Sequence, residues 1–517
     1  MVYGSAMPTR PGRRELLVLS AVLLVGLVLR GARLGWDLPY IENPDEAQYL
    51  EIAQKMVREG NPVTRFLNIP SLLFDVTALG QVIYYWLGRL TGAFSSRQDL
   101  VPPVILVMGV TKAGLTSSVL WARSVIVLFG LGSVALLFFW GKEATGRPSV
   151  GLLAAAMAAV SPIHVSLSRS VTPDTIAAFF VTLSALFTTR VLNRGAAKDY
   201  LWSGAAIGLA ASAKYNAGFV AILLPLAQFL RGGKVTLPSK LVWQAALVSI
   251  AAFVATSPIT VIAFPRFISK LGFESHHYAG SHPGMEGGAL GWYLGDMATT
   301  AAVVYALAAV EIGLGLARRS KPTLFLAAFP VLYFAFISGF AVRNDRTYLP
   351  LTFFCFVLAA SLMVRLAERF RELERPSWQR ALVPVLVAAV LVQPLATTWS
   401  RAALRRASVA RKTAREWLTA NLPAGTKVAL ESYTPFLEPS RYEVRGFGQL
   451  TEHEPDWYAT NGFQYLVFGK IMYGRFFADP ARYAPEVARY RAFFEHLPLV
   501  RRFEDGSDEV RVYATKF

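Results

Sequence analysis

Long apolar runs separated by short polar stretches make up most of the chain. A helix needs roughly 20 apolar residues to cross a bilayer, and eleven runs approach that length. The predicted spans are residues 16–29, 119–140, 150–163, 175–192, 201–213, 217–230, 241–263, 297–316, 323–340, 349–366 and 381–398. This pattern predicts a polytopic α-helical membrane protein with about eleven transmembrane helices.

The positions of the basic residues predict the orientation of these helices. Lysine and arginine accumulate in cytoplasmic loops. If the N-terminus is cytoplasmic, every predicted inner loop contains basic residues; the first of these loops, for example, contains Lys142 and Arg147. The apolar segment 77–90 would invert all later loops if it crossed the membrane, so we interpret it as an interfacial helix. The basic segment 401–415 then lies outside, and long translocated segments follow the charge rule poorly. The predicted location is the plasma (inner) membrane.

The C-terminal part of the chain has a different pattern. Short apolar runs at residues 427–430 and 464–468 predict buried strands, and residues 485–496 predict a helix. Two further runs flank Asp505-Gly506-Ser507-Asp508, which is typical of a hairpin turn. We therefore expect a transmembrane domain at residues 1–400, with a first outer loop at about 34–118, and a small extracytoplasmic α/β domain at 401–517.

Composition and charge exclude several classes of protein. Hydrophobic residues make up 54% of the 517 residues and charged residues 17%, which is too apolar for a soluble or a disordered chain. The single cysteine, Cys355, excludes a disulfide scaffold. The net charge of +18 would suit nucleic-acid binding, but in a membrane protein basic inner loops explain it, so no nucleic acid is expected as a partner.

Acidic residues follow helix-capping patterns in two predicted outer loops. Asp45 and Glu46 come after Asn43 and Pro44, just beyond the first span. Asparagine suits a cap, proline the first helical position, and acids the first turn. Asp174 repeats this arrangement in the second outer loop. A capped carboxylate can also face a cavity, so capping and catalysis both stay open as interpretations.

Other polar residues near these acids are candidates for substrate binding. His164 and Arg169 precede the second acidic segment, and a lone histidine there is either a structural residue or a ligand. Lys214 and Tyr215 form a tight turn between two short spans. A lysine in such a turn either extends to the interface or binds a phosphate from the outer leaflet.

Two arginines stand three residues apart at the start of a late span. Arg343 and Arg346, with Tyr348 just after them, lie on the predicted outer side. The positive-inside rule does not explain cations there, whereas guanidinium groups suit bidentate phosphate oxygens. We therefore expect these residues to bind phosphate.

Three histidines occupy the outer loop at 264–296. His276, His277 and His282, with Glu274 nearby, suggest a metal site, a solvated substrate loop or plain surface, and their spacing matches no common zinc pattern. The sequence has no Asp-x-Asp pair, no phosphate-binding P-loop and no Gly-x-Ser-x-Gly elbow. No cofactor is therefore predicted, and a divalent metal stays an open alternative.

Together these segments resemble the C-type (GT-C) glycosyltransferases of the membrane. The likeness is greatest to the family 39-type group, which includes protein O-mannosyltransferases and the lipid A aminoarabinose transferase. It covers about residues 15–400, and the C-terminal part looks like the outer domain of many bacterial members. The residues that carry it are Asp45-Glu46, Pro173-Asp174, Lys214-Tyr215 and Arg346-Thr347-Tyr348-Leu349-Pro350.

The resemblance implies a GT-C fold and an inverting transfer from a polyprenyl-phosphate sugar on the extracytoplasmic face. By position Asp45 matches the catalytic base of the family and Glu46 its acidic neighbour. Asp174 matches the acid of the second loop, and Arg346 and Lys214 match cations near the lipid phosphate. The implied acceptor is a glycan, a lipid or a protein, and membrane lipid surrounds the chain.

Two departures and two rival functions accompany this resemblance. The family more often has a plain Arg-Tyr-Leu where this chain has two arginines, so which arginine contacts phosphate stays open. Segment 77–80 also lacks the usual Pro-Pro-Leu of the family. A polytopic transporter or lipid-linked glycan flippase is one alternative, but its acids should lie within spans. A membrane-anchored sensor or binding protein is the other.

Overall fold

The computed structural model describes residues 11–232, 238–280, 282–372, 377–404, 408–506 and 508–516. The side chains of 377–382 and 402–404 lie outside this description. The described elements as far as residue 404 are helices α1 (Arg13–Gly31), α2 (Pro44–Glu59) and α3 (Leu72–Leu90), strands β1 (Val104–Val107) and β2 (Val110–Lys112), and helices α4 (Thr116–Thr145), α5 (Pro148–Val160), α6 (Pro162–Leu167), α7 (Pro173–Arg194), α8 (Ala197–Ala213), α9 (Leu223–Gly232), α10 (Lys240–Thr256), α11 (Ile259–Ile262), α12 (Phe264–Ala279), α13 (Ala289–Ala317), α14 (Lys321–Ser338), α15 (Asp345–Glu372) and α16 (Ser377–Leu404).

Each of the eleven predicted spans coincides with helical structure, although the span at 217–230 begins as a 3₁₀ helix, Tyr215–Ile222. By length and composition, six helices of the described residues can cross a membrane: α4, α7, α13, α14, α15 and the Val383–Arg401 part of α16. α5 and α10 are apolar but shorter. The prediction of a polytopic α-helical membrane protein is confirmed, whereas the number eleven stays a prediction.

Helix α15 forms the centre of the bundle. Almost every residue from Thr347 to Met363 is buried, because α15 packs against α5, α7, α13, α14 and α16. Small residues permit the closest helix contacts, as is common between membrane helices. At Gly151 of α5, for example, an added Cβ atom would lie 2.1 Å from the Phe138 carbonyl oxygen of α4, so this contact between α4 and α5 requires glycine. The buried N-terminal half of α15 therefore holds its first turn in a fixed place at one end of the bundle.

The first outer loop is more regular than the sequence pattern indicated. Residues 44–59 form the amphipathic helix α2, which packs on α3. An antiparallel hairpin follows, in which β1 pairs with β2. α3 is not among the helices long and apolar enough to span. Its interfacial position stays a prediction.

The C-terminal domain is a small α/β unit, as predicted. Its sheet has the order β4-β3-β5-β7-β6; β3 is parallel to β4 and β5, and β7 is antiparallel to β5 and β6. Apolar clusters cover both faces of the sheet. Its elements are α17 (Val409–Asn421), β3 (Lys427–Glu431), β4 (Glu443–Phe447), α18 (Pro455–Thr460), β5 (Tyr465–Gly469), α19 (Lys470–Phe477), α20 (Ala484–His496), β6 (Leu499–Glu504) and β7 (Glu509–Ala514).

Candidate functional site

An accessible ion pair joins the first turns of α2 and α15. Asn43 caps α2, since its Oδ1 accepts a hydrogen bond of 3.1 Å from the Asp45 backbone N–H. The cap leaves the Asp45 side chain free to turn toward α15, where its Oδ2 accepts a hydrogen bond of 2.8 Å from Arg346 Nη1. The two side chains are 37% and 34% exposed. The segment around Asp45 is therefore a helix cap that also presents a carboxylate to solvent.

A second ion pair lies beside the first. Asp174, in the first turn of α7, accepts a hydrogen bond of 2.7 Å from Lys214 Nζ, in the turn after α8. Arg346 interacts electrostatically with both Asp45 and Asp174. Four segments distant in sequence thus bring two carboxylates and two cations together, and all four residues are among the candidates named from the sequence. We call these four residues the ion-pair centre.

Tyrosines surround the ion-pair centre. Tyr49 lies one turn after Asp45 on α2 and is buried; burial and the neighbouring Asp45 carboxylate both raise the pKa of its hydroxyl. Tyr278, at the end of α12, interacts electrostatically with Arg346. The Tyr333 hydroxyl accepts a hydrogen bond from the Asn216 side chain at 2.9 Å. The centre therefore has neutral hydroxyl groups at its edges, as a site for polar ligands requires.

Glu46 points in the opposite direction from Asp45. It is fully buried, and its Oε1 and Oε2 each accept a hydrogen bond of 2.8 Å from Arg123 of α4. Oε1 also accepts one of 2.9 Å from the Val171 backbone N–H. Arg123 in turn pairs with buried Asp37 at 2.8 Å. Both Glu46 oxygens are thus occupied by protein groups that link α2, α4 and the loop before α7.

The two arginines near the start of α15 have different contacts. Only Arg346 reaches Asp45. The Arg343 guanidinium donates to the backbone carbonyls of Met285, Glu286 and Gly287, the first of these at 2.9 Å. Arg343 thereby holds the loop before α13, and Arg346 is the arginine of the ion-pair centre.

A further charged cluster lies along α13, α15 and α16. The hydroxyl of buried Tyr348 donates to the Asp296 carboxylate. Arg401 forms ion pairs with Asp296 at 3.5 Å and with Asp345 at 3.9 Å. Tyr348 therefore lies next to the ion-pair centre in sequence, but its hydroxyl is held by a different carboxylate.

His164 and Arg169 lie in the buried interior rather than in contact with the ion-pair centre. His164 is fully buried, and its Nδ1 lies 2.9 Å from Arg30 Nη2. Arg30 also donates to the carbonyls of Ala158 and Ala159. Arg169 donates to the Arg33 carbonyl at 2.8 Å. Their contacts in the described residues tie α1 to the segment between α5 and α7.

Of the outer-loop histidines, His276 and His277 are exposed and His282 is half-buried. His276 Nδ1 lies 2.7 Å from the Gly272 carbonyl one turn earlier, and His282 Nε2 lies 3.0 Å from the His277 carbonyl. Across the described part of the chain, no group of three or more histidine, cysteine or acidic residues is placed to hold a metal ion. Tyr215 donates to the Leu67 carbonyl at 3.1 Å and so supports the turn that contains Lys214.

The C-terminal domain contacts the segment that precedes Asp45. Glu42 Oε1 accepts a hydrogen bond of 2.8 Å from the Ser408 backbone N–H, and Glu42 Oε2 pairs with Arg411 of α17 at 3.3 Å. Burial raises the pKa of Glu42, and Arg411 is the strongest opposing influence. The Glu42 backbone N–H donates to Asp37 at 3.1 Å. We call this contact of Glu42 with Ser408 and Arg411 the Glu42 clasp.

Sequence reasoning missed most residues that support the ion-pair centre. Glu42, Asp37 and Arg411 lie in segments without a motif, and only tertiary structure brings them together. Arg123 could have been identified from the sequence, because an arginine within an apolar span usually has a buried partner or a function.

Comparisons with known proteins agree with this architecture. Residues 101–259 match the family model described as dolichyl-phosphate-mannose-protein mannosyltransferase. No curated protein sequence matches the chain significantly. In fold the chain is similar to ArnT from Cupriavidus metallidurans in the apo state, with a TM-score of 0.57, 14% identity, and 97% of each chain covered.

Two further solved structures have the same fold. ArnT from Cupriavidus metallidurans bound to undecaprenyl phosphate gives a TM-score of 0.56 at 15% identity, covering 97% of this chain and 98% of that chain. The oligosaccharyltransferase AglB from Archaeoglobus fulgidus, in complex with an inhibitory peptide and a dolichol-phosphate, gives a TM-score of 0.57 at 11% identity, covering 88% of this chain and 69% of that chain.

Proposed function

We propose that the chain, which has the GT-C fold, is a glycosyltransferase of the family 39-like type with a polyprenyl-phosphate sugar as donor. The structural relatives include one bound to undecaprenyl phosphate and one bound to a dolichol-phosphate. The acceptor is a hydroxyl group on a glycan, a lipid or a protein at the extracytoplasmic face.

The contact between Asp45 and Arg346 is the observation that carries the proposal. A glycosyl transfer from a phosphate leaving group needs a carboxylate that accepts the proton of the acceptor hydroxyl. It also needs a cation where negative charge develops. Asp45 and Arg346 supply these two groups 2.8 Å apart, at an accessible helix end, with Lys214 as a second cation nearby.

The proposed step is a single displacement. The acceptor oxygen attacks the anomeric carbon of the sugar while Asp45 takes its proton, and the bond from that carbon to the phosphate oxygen breaks. The polyprenyl phosphate leaves with one more negative charge than the donor had, and Arg346 stabilises that charge. Attack opposite the leaving group inverts the anomeric centre.

The pairing of Asp45 with Arg346 describes the site before the donor binds. The donor phosphate competes for the Arg346 guanidinium, because Arg346 has the planar donor geometry that phosphate oxygens prefer. Once Arg346 turns to phosphate, the Asp45 oxygen that it occupied becomes available to the acceptor hydroxyl. Donor binding thereby activates the base.

The neighbouring acids act through position in this proposal. Asp174 holds Lys214 at 2.7 Å and draws Arg346 toward the centre. Glu46 has both oxygens bound by protein groups, so it fixes the first turn of α2 instead of touching substrate. Asp45 is therefore the single base we assign.

The test uses purified full-length protein in nanodiscs with a panel of radiolabelled polyprenyl-phosphate sugars. We expect release of sugar from one donor, and Asp45→Asn to lower turnover by about 10² to 10⁴-fold while donor binding persists. Glu59→Gln, an exposed acid on the same helix, is the matched control and should behave as wild type. Wild-type turnover in Asp45→Asn, or neither binding nor release with any donor, would overturn the proposal.

A further inference from the structure

A cavity lies at the opposite end of α2 from Asp45. It has a volume of about 630 Å³ and is bounded by the C-terminal end of α2, one face of α3 and the end of α10. The α3 face contributes Asp75, Ala78, Val82 and Trp86, spaced as neighbours on one side of a helix. Volumes of this size are typical of ligand sites.

Two charged groups line this otherwise apolar cavity. Asp75 lies on the α3 face and Arg97 at the rim. In the described residues neither side chain has a hydrogen-bond or ion-pair partner. Burial alone raises the pKa of Asp75, to about 7, which agrees with a carboxyl group that no cation compensates. The Arg97 side chain is exposed and the Asp75 side chain is half-buried, so both can contact the polar head of a ligand that enters the cavity.

The cavity is continuous with the apolar surface of α3. Leu79 and Trp86 line it and are 63% and 58% exposed, while Ile83 and Leu90 continue the exposed stripe. An amphipathic helix with such a stripe lies in the interface with its apolar face among acyl chains, and tryptophan prefers the head-group level. A ligand in the cavity therefore has one end in the bilayer.

We propose that this cavity is a binding site for an outer-leaflet lipid with an anionic, hydroxylated head group, as in phosphatidylglycerol. Arg97 pairs with the lipid phosphate, Asp75 bonds to a head-group hydroxyl, and the wall formed by Val82 and Trp86 takes the upper part of an acyl chain. Twelve residues of α2 separate Val57 at the cavity from Asp45, which is about 18 Å at 1.5 Å per residue. The site is therefore distinct from the ion-pair centre.

Native mass spectrometry of the full-length protein tests this proposal. The protein is titrated with phosphatidylglycerol and with phosphatidylcholine of the same acyl chains, and the bound lipid is counted. We expect preferential retention of phosphatidylglycerol, and loss of about fivefold in Arg97→Gln, the effect of one basic group at an anionic membrane surface. Ala78→Phe, which fills the cavity, should remove the preference.

The controls separate this site from general lipid binding and from the donor site. Arg65→Gln removes an exposed arginine of the same outer loop that does not line the cavity, and it should retain lipid as wild type does. Asp45→Asn should also bind phosphatidylglycerol normally. Melting temperatures confirm that each variant is folded. Equal retention of the two lipids, insensitivity to both cavity variants, or displacement by equimolar undecaprenyl phosphate would overturn the proposal.

Discussion

At the scale of single residues, consecutive acids in the first turn of α2 have opposite environments. Asp45 is accessible and pairs with one cation, whereas Glu46 is buried in a cluster in which Arg123 is shared with Asp37. The cluster has two carboxylates and one guanidinium. Its geometry depends on Arg123, because removal of that group leaves two buried carboxylates without their cation, each with only a backbone N–H donor.

The Glu46→Gln variant distinguishes a positioning role of Glu46 from a catalytic role. Glutamine keeps the shape of Glu46 and one acceptor for the Val171 backbone N–H, so the first turn of α2 should stay in place. We expect turnover to fall by less than about tenfold, the factor that 1.4 kcal/mol represents, with donor binding retained. The measurement is sugar release alongside Asp45→Asn. A loss in Glu46→Gln as large as in Asp45→Asn would contradict the assignment of the base.

Arg123→Ala tests the buried cluster itself. Breaking a buried ion pair by removal of one partner costs about 3 to 5 kcal/mol, so thermal unfolding in detergent should occur at a clearly lower temperature. Arg194→Ala, which removes an arginine that is 38% exposed and paired with Glu143, is the control and should change the melting temperature little. Equal melting temperatures of Arg123→Ala and wild type would exclude a structural role for the cluster.

Asp75 predicts a pH dependence of lipid retention. Its pKa of about 7 is above the ordinary 3.8, so the carboxyl is mostly neutral at pH 6 and mostly charged at pH 8. Tyr85 and Arg97 are the other titratable groups lining the cavity. Phosphatidylglycerol retention should therefore be weaker at pH 8, where two anions approach each other. Asp75→Asn should remove the difference, and an unchanged pH dependence would exclude Asp75 as its cause.

At the scale of elements, the sequence predicted helices and strands better than their contacts. Apolar periodicity located the helix in every span, and the hairpin signal around Gly506 led correctly to β6 and β7. Strand β4 was missed because its sequence, Glu-Val-Arg-Gly-Phe, contains two charged residues and a glycine. Its first four residues alternate between exposed and half-buried, and only Phe447 is buried. Cap patterns led to Asp45 and Asp174, although Asn43 makes a side-chain cap hydrogen bond at the start of α2 and Thr172 makes none at the start of α7. Pairing of Asp45 with Arg346 spans 301 residues, and no local pattern encodes it.

Helix α17 is the element that connects the C-terminal domain to the ion-pair centre through the Glu42 clasp. Arg411→Ala removes the cation from half-buried Glu42 and from Asp508, and it should loosen the segment that leads into Asp45. We expect turnover to fall by about tenfold, since small displacements of catalytic groups have effects of this order or larger, while donor binding changes little. Lys412→Ala, on the exposed side of the same helix, should have wild-type turnover. Identical rates in both variants would show that the clasp does not position Asp45.

At the scale of the whole molecule, the proposal requires the ion-pair centre and the C-terminal domain on the same outer side of the membrane. The direct contacts of Glu42 with Ser408 and Arg411 place both on one end of the bundle. Basic inner loops predict that this end is extracytoplasmic. The charge-rich segment 401–415 then belongs to a translocated part of the chain.

Cysteine labelling of intact cells tests this topology. The chain has one cysteine, buried Cys355, which gives a low background. A cysteine introduced at Glu495 of the C-terminal domain should react with a membrane-impermeant maleimide, whereas one at Lys198, in a predicted inner loop, should react only after permeabilisation. The reverse pattern would place the ion-pair centre in the cytoplasm and contradict the proposed donor face.

The Glu42 clasp also sets an order of events during synthesis. Asp45 emerges early from the ribosome, but the partners of Glu42 follow 366 and 369 residues later, after the last helix of the bundle. Contacts of such long sequence separation form late in folding. A chain that stops before residue 408 therefore carries every residue of the ion-pair centre but lacks both partners of Glu42.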